Sequence, residues 1–136
     1  MAKMVLLAEY VSIATNDLKT WANKAELAVE VEEKDVTTFA SLGWKEVLGG
    51  LKSGQMALEF KQDYAAAALD AIMWPLLGTV VAFEVRADQG AVTTSNPKYT
   101  GNLLIKEWNP LTGSVGDEAT AKVTFPTSGA VTRATS

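Results

Sequence analysis

Lys24 to Glu33 reads KAELAVEVEE, and its period decides the class of fold. Ala25, Leu27, Val29 and Val31 fall on one side; Glu26, Ala28, Glu30 and Glu32 fall on the other. A period of two puts alternate side chains on opposite faces of an extended chain, which predicts a half-buried strand. Downstream, QMALEFKQ (55–62) repeats the pattern, with Met56, Leu58 and Phe60 inward and Glu59 and Lys61 outward. Upstream, Met4 to Ile13 is rich in Val, Leu, Ile and Tyr and reads as another strand. TNDLKTW (15–21) between them reads as a turn pivoting on Asn16 and Asp17.

The two alternating strands are separated by VTTFASLGWKEVLGGLKSG, Val36 to Gly54. Its glycines, serines and threonines predict a loop. Its Phe39, Leu42, Trp44, Val47, Leu48 and Leu51 are residues that a protein buries. Long structureless connections are uncommon in compact domains, so such a loop is expected to have a role of its own.

Beyond the second strand, Asp63 reads as a helix N-cap. Tyr64, Ala68, Leu69, Ile72, Met73 and Leu76 follow as one apolar stripe. Pro75 disfavours helical geometry at Trp74 and ends the helix there. A helix of about ten residues does not stand alone, so Leu69, Ile72 and Met73 are expected to pack against a sheet. TVVAFEVRA (79–87), KYTGNLLIKEW (98–108, with Gly101 at a bulge) and EATAKVTF (118–125, closed by Pro126) read as three further strands. TSGAVTRATS (127–136) reads as a loosely held polar tail. The pattern predicts one domain over residues 1–136. It is mainly β, an antiparallel β-sandwich or barrel with one flanking α-helix and a long extended loop at 36–54.

The composition removes several function classes. The chain contains no cysteine and no histidine, so disulfides, thiolate nucleophiles, Cys/His zinc sites and Ser-His-Asp triads are excluded. Glu30 and Glu32 share a strand face at about 7 Å, a spacing open to a carboxylate pair, but nothing around them supplies a pocket. A solvated or specialised acidic face is the better reading, and no catalytic, metal-binding or cofactor-binding residue is assigned. Gly49, Gly50 and Gly54 are not followed by the Lys-Ser/Thr of a phosphate loop. A net charge of -4 and two widely separated arginines, Arg86 and Arg133, argue against nucleic-acid binding. Glu9 interrupts the N-terminal apolar run. Asp70, Pro75 and Gly78 interrupt Tyr64–Phe83, so no membrane insertion is expected. Trp21, Trp44, Trp74 and Trp108 leave a carbohydrate-binding sandwich open as an alternative to packing and interface roles.

The second half contains an ordered set of pieces. They are Phe83-Glu84-Val85-Arg86, Asn96-Pro97-x-Tyr99-x-Gly101, Trp108-Asn109-Pro110, Gly113-x-Val115-Gly116-Asp117, and FPTSGAVTR (125–133). In this order and spacing they resemble the C-terminal half of a siphophage tail tube protein (major tail protein). The resemblance implies a two-sheet sandwich with a flanking helix that forms rings, usually hexamers, whose strands join into one inner barrel. The rings stack into a tube around a tape-measure protein, end on tail-end proteins, and pass genomic DNA without binding it specifically. It also implies a place in the virion tail, assembly in the host cytoplasm, and no enzymatic activity. A tube of a related contractile or secretion apparatus shares the fold and stays open.

In such proteins a long loop between early strands reaches a neighbouring subunit. The resemblance therefore casts 36–54 as that loop, with Phe39, Leu42, Trp44, Leu48 and Leu51 as inter-subunit contacts, mobile in the monomer and ordered on assembly. The other reading is a hairpin folded back on its own core. Glu26, Ala28, Glu30 and Glu32 form a charged face of one sign, and are expected to line the bore, with Leu27, Val29 and Val31 packed inside the subunit; the rival reading is an ordinary solvated outer face, which alternation alone does not distinguish.

Overall fold

The computed structural model describes residues 3–136. Strands β1 (Tyr10–Ile13) and β2 (Asn16–Asp17) precede a long hairpin of β3 (Ala22–Asp35) and β4 (Val47–Lys61). The helix α1 (Leu69–Met73) follows. Then come β5 (Val80–Arg86), β6 (Lys98–Leu104), β7 (Thr120–Pro126) and β8 (Thr132–Ala134). They form two antiparallel sheets, ordered β2-β1-β5-β6-β8 and β3-β4-β7.

The core lies between the sheets. Met56, Leu58 and Phe60 of β4 and Ala121, Val123 and Phe125 of β7 face Val11, Ile13, Phe83 and Leu103 of the larger sheet. Alternation makes this possible: register pairs such as Leu58↔Val123 and Leu27↔Met56 share a face, so one apolar set turns inward together. Leu69 and Met73 of α1 are fully buried in the same cluster, and Ile72 packs against it half-buried. The Phe60 and Trp108 rings meet at 6.1 Å with planes 56° apart, a tilted edge-on contact.

Several local expectations are corrected. The N-terminal strand covers only Tyr10–Ile13; Met4, Val5, Leu6 and Leu7 lie outside any strand and are exposed. Composition favoured extension there, but residues 4–7 have no neighbouring strand to pair with. The first turn pivots on Ala14 and Thr15, both at positive φ (53° and 65°), while Asn16 and Asp17 pair back onto β1. Two central residues at positive φ define the turn that suits the twist of a two-residue hairpin, although Asn and Gly fill it at less cost than Ala and Thr.

The helix is five residues long, with Ala68 at its N-cap, and a 3-10 turn (Trp74–Leu76) continues it. Ala67 at φ 61° breaks any earlier start. Asp63 instead accepts the Ala65 N–H at 3.0 Å, turning the chain before the helix, and Tyr64 is exposed. Gly101 makes no bulge: it pairs regularly with Phe83. A Cβ there would lie 2.9 Å from the Phe83 ring and 3.1 Å from the Ala130 carbonyl, so close packing explains the glycine. The tail is not loose, because Thr132–Ala134 adds β8 to the edge of β6.

Candidate assembly surface

All of Val47–Gly54 proves to be strand. β3 and β4 remain paired out to Asp35↔Val47, leaving a tip of only residues 36–46. The glycines misled because they sit within paired strand: Gly54 pairs with Val29 and Gly49 with Glu33, and Gly50 falls in a bulge, since Val31 pairs with Lys52 and β4 carries one extra residue. Gly50 lies over Lys34, whose Cγ would be 3.2 Å from an added Cβ. The hairpin does not fold back on the core either. From Ala28 through Leu51 every residue but Ser41 is exposed, so the paired strands project as an arm. Seven residues of strand, Val29 to Asp35, give the arm a reach of about 23 Å at the usual rise.

The tip has a defined form. Val36 N–H donates to the Glu46 carbonyl at 3.0 Å, and Glu46 N–H donates to Thr37 Oγ1 at 2.8 Å. Thr37 N–H donates to Asp35 Oδ1 at 2.9 Å, and these Thr37 contacts hold the Asp35 carboxyl below the usual aspartate range. Phe39–Ser41 make a 3-10 turn ended by Leu42 and Gly43 at positive φ, and the Ser41 hydroxyl bonds Glu46. Polar groups close the tip on itself, while Phe39, Leu42 and Trp44, together with Leu48 and Leu51 on β4, turn to solvent. A run of apolar side chains this exposed marks an interaction surface.

The small sheet turns its other face away from the core. Glu26, Ala28, Glu30 and Glu32 are all on it, and all are exposed. Sequence reasoning missed their neighbours. Lys24 pairs with Glu59 and Glu59 with Lys122, a basic–acidic–basic row across all three strands, and Lys34 pairs with Glu32. The face is therefore mixed in sign, because β4 and β7 contribute to the same surface. Val29 and Val31 lie on the core-side face but beyond the cover of the larger sheet, 55% and 51% exposed, while Leu27 packs against the core.

The remaining tryptophans divide. Trp21 Nε1 donates to Asp63 Oδ2 at 2.9 Å and Trp108 Nε1 to Asp70 Oδ1 at 3.0 Å, so both are spent inside the subunit. Trp44 and Trp74 are exposed on separate elements, the arm tip and the turn after α1. Among the described residues no group of three acidic, Cys or His side chains is placed to hold a metal, and no helix is long and apolar enough to cross a membrane.

A sandwich that spends its two longest strands on a projecting arm with an apolar tip defines a class of protein built to pack against other chains. The phage tail tube protein family model matches residues 8–133, and the chain belongs to that family, whose members are structural subunits of the virion tail. None of the curated proteins compared with it matches. Two solved structures share the fold. One, a chain of the virion of a native gene transfer agent particle, is 20% identical with TM-score 0.70, over 90% of this chain and 94% of that one. The other, from the tail of an empty gene transfer agent particle with C6 symmetry, is 22% identical with TM-score 0.65, over 82% and 81%.

Proposed function

We propose that this tail tube subunit assembles into hexameric rings that stack into a hollow conduit, and that it has no catalytic role. One observation carries the reading: the arm closes its own polar groups and leaves Phe39, Leu42 and Trp44 bare. Burying such side chains against another copy returns ~25 cal/mol per Å² of apolar surface, repeated at every contact of a ring. The six-fold number is carried over from the C6 tail of the structural neighbour. The outer face of the small sheet, with Glu26, Ala28, Glu30 and Glu32, lines the bore in this reading. Its interleaved lysines leave a wall of balanced charge, which neither traps nor strongly repels a passing polyanion. A tape-measure protein inside and tail-end proteins at the termini are the partners the architecture calls for. Negative-stain imaging of purified protein over a rising concentration series tests the assembly. Stacked hollow rings of six support it, and particles that stay monomeric or form solid filaments contradict it.

A further inference from the structure

A mainly apolar cavity of about 160 Å³ opens between the two sheets beside β3. Leu27 and Met56 line it from the small sheet, and Val85 and Tyr99 from the larger one. Met56 is fully buried, so the cavity reaches the core. An apolar hollow of roughly 150 Å³ takes a benzene-sized group, so there is room here for one leucine side chain.

The segment ahead of β1 hangs at its mouth, where Leu6 and Glu9 complete the lining. The root of that segment is fixed. Ala8 bridges Asp88, and Gln89 Nε2 donates to the Glu9 carbonyl at 3.4 Å. The loop that holds it is tied down in turn: Asn96, buried, accepts the Asp88 N–H at 3.2 Å and donates to the carbonyls of Asp88, Gly90 and Ala91 at 3.1, 3.3 and 3.2 Å. Burial already pushes the Glu9 carboxyl above the usual glutamate range, so the root is seated. Beyond it the hold ends. Residues 4–7 form no backbone hydrogen bond among the described residues, and Leu6 is still 55% exposed. A second gap of about 180 Å³, lined by Leu7, Ala8, Asn23 and Lys24, separates the segment from the first residues of β3.

We propose that Met4–Ala8 is a strap that closes on the free subunit, seating Leu6 against Leu27, Met56 and Val85, and that it must lift before a neighbouring copy packs beside β3. The strap is a brake on assembly built into the fold. Met4, Val5, Leu6 and Leu7 are four apolar residues in a row, and one of them stands at the mouth of a hole of its own size. The strap lies along the flank of β3, which has no strand beside it on that side. In a ring whose small sheets face the bore, that flank is turned to the next copy, so strap and neighbour compete for one place. One leucine and one pivot make a contact weak enough to be displaced: the closed form is favoured only by what its extra burial supplies, and a neighbour that binds the open form shifts the balance.

The brake rests on the ring reading, and the experiment separates the two. Imaging of the unmodified chain first establishes whether tubes form; their absence refutes the rings and the brake with them. Because the chain has no cysteine, one added pair reports the strap without background. In Leu6→Cys/Ala25→Cys, mild oxidation of dilute single subunits should close a disulfide within one chain, which requires Cα atoms within about 7 Å. The oxidised variant should stay single at concentrations where the unmodified chain forms tubes, and reduction should restore the tubes. Failure to form the disulfide within the subunit, or tubes from the oxidised form, overturns the proposal. Leu6→Ser covers the case where the cysteine pair does not fold, and it fixes the sign of the effect. It removes the seated side chain, so tubes should appear at a concentration roughly tenfold or more below that for Leu7→Ser, whose leucine is 88% exposed. Equal onsets overturn the brake, and a higher onset for Leu6→Ser overturns it in favour of a strap that seats in the neighbouring copy.

Discussion

Trp108 donates its indole N–H to Asp70 across 3.0 Å, joining the segment after β6 to the first turn of the only α-helix among the described residues. Asp70 is the single charge in an otherwise apolar stretch, and this bond is its use. Trp108→Phe keeps most of the packing on Phe60 and loses the bond, and should cost about 1.5–3 kcal/mol for a hydrogen bond to a charged group. Trp108→Ala also opens a cavity and should cost about 3–5 kcal/mol. Thermal melts of the monomer check both values.

Leu69 and Ile72 should separate in the same assay. Leu69 is fully buried and Ile72 only partly. Leu69→Ala should cost about 2–5 kcal/mol, and Ile72→Ala distinctly less, because water already reaches part of its side chain. Equal losses would show that α1 packs on a different face.

The turn at Ala14 and Thr15 is a site of strain. A left-handed backbone costs a residue with a Cβ about 1–2 kcal/mol, and glycine avoids this at the expense of a looser unfolded chain. Thr15→Gly should therefore raise monomer stability by roughly 0.5–1 kcal/mol. A lower melting temperature would count against the turn geometry.

Asp63 should shape the acid limb of stability. The Ala65 N–H, and then the Trp21 indole, hold its pKa below the ordinary aspartate value. A lowered carboxylate pKa contributes stability that is fully present above the unfolded value, ~4, and is lost as pH falls through the folded one. Asp63→Asn should be less stable than the parent at neutral pH, and the gap should close below about pH 4. A gap independent of pH would remove the carboxylate from this role.

The sandwich was legible because alternation is a local signal: the runs at Lys24–Glu33 and Gln55–Gln62 carry their register on their faces. The arm was half legible. Its apolar residues announced an interface, but Gly49 and Gly54, which read as loop, are paired with β3 and Gly50 sits in a bulge, features that depend on the partner strand. Residues 4–7 and β8 were misread for a related reason, since strand formation needs a neighbour that composition does not reveal. The charge of the small sheet's outer face was misjudged because Lys24, Glu59 and Lys122 meet only when three strands distant in sequence are laid side by side.

The arm is the centre of the account, and replacing its apolar tip tests it most directly. Phe39→Ser/Leu42→Ser/Trp44→Ser changes side chains that are largely exposed in the subunit, so the monomer's stability should stay within the small range of surface substitutions, about 0.5 kcal/mol. Imaged at concentrations where the parent chain forms tubes, the variant should remain as single subunits. Tubes of normal length from the triple variant would contradict the account.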